Sequence, residues 1–469
     1  MIESPNPAQA YVAASSIVGA LRAAGHQAYF AGGCVRDLLL GVVAKDYDVA
    51  TSATPDVVMG MFGKTVAVGA HFGVVLVCVE GADGVEVATE VATFRHDGAY
   101  SDGRRPDGVR FSVSAREDVV RRDFTINGML LDPVKLEETG DAGAAVLDFV
   151  GGREDLQAGV VRAIGEPGVR FGEDKLRMLR AVRFAARLGF GIEARTMGAI
   201  RAGAAGIGQV SCERIRDELT RMLTEGRARR AFELLEESGL LREVLPEVVK
   251  LRGVAQPPEF HPEGDVWVHT MLLLEKLGAG CSATLAWGAL LHDIGKPATY
   301  QPANPAVAGD RIRFNGHVEV GVRMAEVMLG RLRFSNDDTA QIVALVKNHM
   351  RFGDVREMKE STLKRFLRLP KFEEHLALHW LDASSCHGDL RLYEFAKAAY
   401  ESEPEEAIRP KLLVTGRELI AAGYRPGVGF KAMLEAAEDA QLEGKVTTTE
   451  EAMAWVRERF GGAAAEAGG

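Results

Sequence analysis

Residues 28–41 read AYFAGGCVRDLLLG, and KDYDVA follows at 45–50. The first stretch predicts a strand, a glycine turn and a short helix opening near Cys34; the second predicts a short extended segment. Side chains alternate along an extended chain, so Asp46 and Asp48 share a face. Neighbouring carboxylates repel each other unless a cation lies between them, and hard oxygen donors suit Mg2+. Taken alone, such a pair also fits a solvated loop. Gly32 and Gly33 entering a helix let backbone N–H groups approach a polyanion, helped by the polarity of the helix N-terminus. Arg36 adds a fixed cation for phosphate oxygens. A bare glycine pair would equally serve an ordinary strand-to-helix turn. A phosphate cradle just ahead of a metal-binding carboxylate pair, however, describes a nucleotidyl-transfer site, where Mg2+ activates a hydroxyl and steadies the departing pyrophosphate.

Working outward, valine-rich runs at 66–79 and 85–94 read as strands, so residues 1–150 form a small mixed α/β head. Beyond Gly151 the strand signals fade. EDKLRMLRAVRFAARLGF (173–190) and the stretch from Cys212 to Leu241 carry apolar residues at helical spacing, and residues 151–258 read as a helical neck and body. VAQPPEFHPEGD (254–265), with three prolines and a glycine, reads as a linker. Four histidine-bearing amphipathic helices occupy much of 259–395, and residues 396–469 are helical again, ending in a GGAAAEAGG tail read as disordered. The fold class is α+β.

Composition narrows the function. The 469 residues are 47% hydrophobic and 26% charged, with a net charge of −10. No window reaches ~18 uninterrupted apolar residues, and no basic stretch followed by an apolar run opens the chain, which points to a cytoplasmic protein with no membrane partner. Five scattered cysteines read as reduced, buried thiols. The acidic balance argues against a surface coated everywhere in nucleic acid but leaves room for a local basic groove.

GGCVRDLLLG followed by KDYDVA resembles the opening motif of the class II tRNA nucleotidyltransferase and bacterial poly(A) polymerase superfamily. The likeness continues in order through EVATFRHDGAYSDGRRPDGVRF (90–111), DVVRRDFTINGML (118–130), GEPGVRFGEDKLRMLRAVRFAARLGF (165–190) and SCERIRDEL (211–219). It implies a polymerase-beta-like head followed by helical neck, body and tail. It implies that Asp46 and Asp48 hold catalytic Mg2+ and that Gly33 and Arg36 contact the triphosphate. Arg122 and Asp123 would lie at the ribose and phosphates, with Asn127 nearby. Asp174 and Arg177 match the pair that imitates a template base against CTP or ATP, a role suited to one acceptor-only and one donor-only group. Arg177, Arg180 and Arg183 recur every three residues as a basic ridge, which also fits a solvated face. Glu90 reads either as a third acidic group at the metals or as an ordinary strand carboxylate.

Departures are Lys175, where relatives have proline or alanine, and Gly128, where alanine is usual. Members that add only CC lack an intact flexible loop; here Tyr100, Asp102, Arg104, Arg105 and Pro106 are present. The resemblance therefore implies addition or repair of CCA at the tRNA 3′ end, with A-only addition and poly(A) synthesis as alternatives. A phosphohydrolase or nucleotide-binding regulatory protein is the alternative of another class.

A second constellation comprises His269, the His292-Asp293 doublet, His317, His349 and Asp382. One histidine on an apolar helix is usually a core residue; this set resembles the HD metal-dependent phosphohydrolase superfamily. The resemblance implies His269, His292, Asp293 and Asp382 as ligands for a transition metal or Mg2+, with His317 and His349 holding a second metal or a phosphate. Arg227, Arg229 and Arg230, and Lys364, Arg365 and Arg368, could track RNA phosphates or be solvated helix faces. Nothing in the sequence indicates an oligomeric state.

Overall fold

The computed structural model describes residues 6–69, 72–80, 85–97 and 109–461. The chain folds as two compact units, Met1–Val249 and Lys250–Gly469.

In the first unit, the strands of the head are β1 (Ala28–Ala31), β2 (Asp48–Thr51), β3 (Thr65–Gly69), β4 (Val74–Glu80), β5 (Glu86–Thr93), β6 (Arg95–Asp97), β7 (Val109–Phe111), β8 (Met129–Leu131) and β9 (Val146–Asp148). Seven build one sheet in the order β3-β4-β5-β2-β1-β8-β9, while β6 pairs with β7. Alternation sets the faces. Along β5, Val87, Thr89, Val91 and Thr93 are buried while Glu86 and Glu90 face outward. The helix Pro7–Ala23 opens with an Asn6–Gln9 capping box and Pro7 in its first turn. It buries Ala10, Ala14, Ile17, Val18 and Leu21, and packs on β1, β2 and β5. On the other side Ala31, Ala50 and Leu130 close on Phe94, Ala115 and Val119, which lays the short helix Ala115–Val120 over the strands that carry Asp48.

The helical part of this unit centres on Leu176–Leu188, which ends at Gly189 in the left-handed region (φ +73°). Cys212–Thr224 and Ala228–Glu237 pack against it.

The second unit is helical. Val266–Lys276, Ala283–Leu291, His317–Arg331 and Asn336–Asn348 match the four histidine-bearing stretches. Ala283–Leu291 departs from amphipathic character: seven of its nine residues, including Trp287, are buried, because it runs through the core. The segment read as a linker belongs to this unit. Ala255 forms a β-bridge with Asp265, and buried Gln256 accepts a 2.7 Å hydrogen bond from Lys296. Its prolines shape a packed loop rather than a free tether. Further on, Val414, Leu419, Met433, Ala437, Ala452 and Val456 form a separate C-terminal core. Residues 462–469 of the alanine-glycine tail lie outside the described residues.

Candidate nucleotidyl-transfer site and metal centre

Antiparallel pairing sets Asp48 opposite Ala31, the residue just before the glycine pair. Gly32 is left-handed (φ +76°), a conformation open to glycine at little cost, and a Cβ there would stand 3.4 Å from Nη1 of Arg122. Arg122 thus lies against the glycine corner, held by buried Asp118 at 3.0 Å. The parallel β2–β5 register (Val49 beside Val91) places Glu90 alongside Asp48 on the outward face. Asp46 precedes the strand; it and Asp48 are exposed, with buried Tyr47 turned inward between them, as alternation requires. Among the described residues, these carboxylates do not form a set of three donors within 4.8 Å of one another. Asp48 reaches solvent at one edge, yet the protein packed around it weakens its hydration, and the charges of Glu90 and Asp46 add to this. Its pKa rises to about 7 despite the opposing Arg122.

Arg36 is buried. It donates to Asp37 (2.8 Å) and to Oδ1 of Asn127 (2.7 Å), while Asn127 donates to Asp123 (3.2 Å). Asp123 in turn receives Arg180 at 2.8 Å. Burial opposes ionisation of Asp123, but the Arg180 charge and these hydrogen bonds hold its pKa below the usual range. The guanidiniums of Arg36, Arg180 and Arg183 lie over Phe184, 5.4, 5.2 and 4.3 Å from the ring centroid.

The basic ridge is neither a solvated face nor a row of free cations. Arg177 pairs with Glu173 at 2.6 Å and donates to the carbonyls of Arg170 and Arg121. Arg183 is buried and clasped by Glu218 at 2.6 Å and Glu225 at 3.3 Å. Asp174 accepts a two-pronged interaction from Arg214, 2.7 and 3.3 Å, rather than pairing with Arg177. Sequence reasoning missed Arg214, Glu173, Glu218 and Asp118, although all four stand inside quoted motifs. Tyr100, Asp102, Arg104, Arg105 and Pro106 lie outside the described residues.

The basic clusters read as RNA contacts are largely committed. Lys364 pairs with Glu360 and donates to the Leu442 carbonyl, while Arg365 and Arg368 both pair with Glu438, at 2.6 and 2.7 Å. They fasten the helix Glu360–Leu367 to Val428–Leu442. Arg229 pairs with Glu233, Arg227 lies against Gly189, and Arg230 is exposed.

In the second unit the sequence-predicted histidines and aspartates do converge. His292, His317 and His349 each pair Nδ1 with a main-chain carbonyl three residues upstream (Ala289, Phe314 and Val346) at 2.7–2.9 Å. Carbonyls only accept, so each Nδ1 carries the proton and each Nε2 presents a lone pair. The Nε2 atoms of His317 and His349 are buried and unpartnered, 3.9 and 3.8 Å from Oδ1 of Asp293. His269 Nε2 stands 3.2 Å from both His292 Nε2 and Asp382 Oδ1. Converging lone pairs and carboxylates fit divalent cations, with His269, His292 and Asp382 as one donor set and Asp293, His317 and His349 as another. Burial lowers the pKa of His349 to about 4, more than Asp293 raises it, leaving it neutral at pH 7. Burial opposes a charged His269, yet hydrogen bonds with Asp382, Cys386 and Glu263 hold its pKa well above the usual value. Asp293, Asp382, His317 and His349 line a cavity of about 760 Å³ together with Lys296 and Arg311. Beside His269 stand Glu263 and His261, which fall in the segment the sequence reads as a linker, and Cys386, which it reads only as one of five scattered thiols.

Three family models match in order: the poly A polymerase head domain over residues 28–162, the probable RNA and SrmB-binding site of polymerase A over 189–251, and the HD domain over 265–371. The chain belongs to the superfamily of class II CCA-adding enzymes and poly(A) polymerases, with an HD domain. It is 45% identical over 227 residues to the CCA-adding enzyme of Geobacillus thermodenitrificans, covering 48% of this chain and 53% of that one. To the CCA-adding enzyme of Lactobacillus johnsonii it is 37% identical over 274 residues, 58% of this chain and 65% of the relative. The matches thus span about half to two thirds of these relatives' length. The crystal structure of the Bacillus stearothermophilus CCA-adding enzyme in complex with CTP aligns over 97% of this chain and 98% of its own, at a TM-score of 0.72 and 28% identity. The solved structure of the Thermotoga maritima CCA-adding enzyme complexed with tRNA-CCA shares the fold at a TM-score of 0.54 and 18% identity, over 98% of this chain and 97% of that one. In this superfamily member no helix among the described residues is long and apolar enough to cross a membrane.

Proposed function

We propose that the protein is a CCA-adding tRNA nucleotidyltransferase of the cytoplasm. It would build or repair the tRNA 3′ terminus from CTP and ATP without a nucleic-acid template. The observation that carries this reading is the placement of Asp48 opposite Ala31, with the glycine corner and Arg122 on one side and Glu90 on the other. The likeness to CCA-adding enzymes supports it. In this reading residues 1–150 are the nucleotidyltransferase head, 151–258 the base- and RNA-binding neck and body, 259–395 the HD domain and 396–469 the tail.

Asp46 and Asp48, joined by Glu90, would hold Mg2+, which supplies charge neutralisation for the attacking 3′ hydroxyl and the leaving pyrophosphate. Burial does most to raise Asp48 to about 7, and the charges of Glu90 and Asp46 add to it, a balance that a bound cation would reverse. Arg122 and the Gly33 turn face the triphosphate, and Arg36, through Asn127 and Asp123, stiffens the floor beneath the ribose. Arg180 and Arg183 act from behind this wall as positioning groups. Asp174 and Arg177 choose the base. Each is already braced, by Arg214 and by Glu173, so their remaining hydrogen-bonding capacity is presented in a fixed orientation. The histidine cavity supports an additional metal-dependent phosphohydrolase activity, with a transition metal or Mg2+.

The test is nucleotide choice. Given tRNA lacking CCA, the protein should add two C with CTP alone and complete CCA with both nucleotides. Runs of A without C would assign it to poly(A) synthesis, and a single A only on tRNA ending in CC would make it an A-adding enzyme. Asp48→Ala should abolish incorporation while His292→Ala spares it. Loss of incorporation in both would refute separate sites.

A further inference from the structure

The three other histidines of the HD centre turn Nδ1 to a main-chain carbonyl; His269 does not. Its Nδ1 faces Oε1 of Glu263 at 2.8 Å, and the same oxygen receives Nδ1 of His261 at 2.9 Å. The thiol of Cys386 stands 3.5 Å from both of these nitrogens. All four donor atoms lie within 4.8 Å of one another. One carboxylate oxygen therefore serves two imidazoles, while its twin, Oε2, is buried with no partner on a side chain only 8% exposed.

We propose that His261, Glu263, His269 and Cys386 form a second transition-metal site, on the Nδ1 side of His269, sharing only that residue with the donor set of the HD doublet. Metal–ligand bonds of about 2.0–2.3 Å in a tetrahedron require donors about 3.3–3.8 Å apart. Both sulfur–nitrogen separations, 3.5 Å, already fall in that range. The two nitrogen–oxygen separations of 2.8 and 2.9 Å are those of N–H···O hydrogen bonds and would open by about half an ångström once a metal replaces the protons. Two imidazoles, a thiolate and one carboxylate suit Zn2+ or Co2+ far better than Mg2+. The buried Oε2 of Glu263 gives the carboxylate a second oxygen with which to follow the ion.

Loading sends the Cys386 thiol proton to solvent. His261 frees Nδ1 by carrying its proton on Nε2. His269, protonated in the metal-free site, releases its Nδ1 proton to solvent on loading; it keeps the Nε2 proton when that side holds no metal and loses that proton to solvent as well, as a bridging imidazolate, when it does. The site ties the loop before Val266–Lys276 to the end of Phe372–Ser385, and both His261 and Cys386 line the cavity, so the ion would brace its wall.

The metal-free full-length chain titrated with Co2+ alone decides the matter. The expected result is a near-ultraviolet thiolate-to-cobalt charge-transfer band that saturates at one equivalent. His292→Ala should keep the band. Cys386→Ser should lose it and bind one equivalent fewer, with unchanged tryptophan fluorescence as the check on folding. His261→Asn, which retains the thiol, should weaken Co2+ binding at the band about tenfold or more. Cobalt binding to the wild-type chain without the band, or equal stoichiometry in Cys386→Ser, would overturn the proposal and leave Glu263 as a hydrogen-bonding support for His269.

Discussion

Arg183 separates two readings of the basic ridge. By spacing it is a candidate nucleotide contact; in the fold it is 4% exposed and bonded to Glu218 and Glu225. Arg183→Met keeps much of the aliphatic stem but leaves Glu218, itself 4% exposed, with only Arg180 at 3.8 Å. Breaking one partner of a buried ion pair costs about 3–5 kcal/mol, chiefly the penalty of the stranded charge. For a unit of this size that corresponds to a fall of about 6–20 °C in melting temperature. The double variant Arg183→Met/Glu218→Gln should recover most of the loss, since no buried charge is then stranded. All four tryptophans, Trp267, Trp287, Trp380 and Trp455, belong to the second unit. Unfolding of the first unit should therefore be followed by circular dichroism, with tryptophan fluorescence as an unaffected internal control. An unchanged melting temperature combined with a manyfold rise in KM for CTP and ATP would refute the structural role.

Gly128→Ala should destabilise this protein by about 1–3 kcal/mol, because the new Cβ would stand 2.9 Å from both Ile164 and Val150. Adding Val150→Ala, which removes one of the two clashes, should recover part of the lost midpoint of urea unfolding, and no loss in the single variant would contradict the packing. In the second unit His375 is 1% exposed with neither ring nitrogen partnered; burial lowers its pKa to about 4, Arg351 adding to the effect and Glu374 opposing it. Below its ordinary value near 6.5 the unfolded chain takes up a proton that the folded chain refuses. Stability present above pH 6.5 is thus lost as pH falls toward 4, by about 3 kcal/mol from this group. His375→Leu should flatten that acid slope in tryptophan-monitored unfolding, and an identical slope would count against it.

Much of the head was legible in the chain itself. The strand, turn and helix around Gly32 and Gly33 fall where the reading places them, the helix opening at Gly33 rather than Cys34. The histidines and aspartates around the HD doublet stand on or at the ends of five different helices, so their convergence comes from the packing of those helices and not from spacing along any one of them. Glu90 is similar: only the β2–β5 register, a long-range pairing, sets it beside Asp48. The segment at 254–265 was misread because proline and glycine mark irregular backbone, and irregular backbone can be packed as tightly as a helix.

The sequence alone determined which local elements form and which chemical groups the chain carries to each end. It could not say which carboxylate each arginine would take. Asp174 meets Arg214, Arg183 meets Glu218, and Lys364, Arg365 and Arg368 close on a distant helix instead of facing solvent. Those choices belong to the tertiary structure, because an ion pair depends on separation in space and on the water excluded around it, and neither is written in the order of residues.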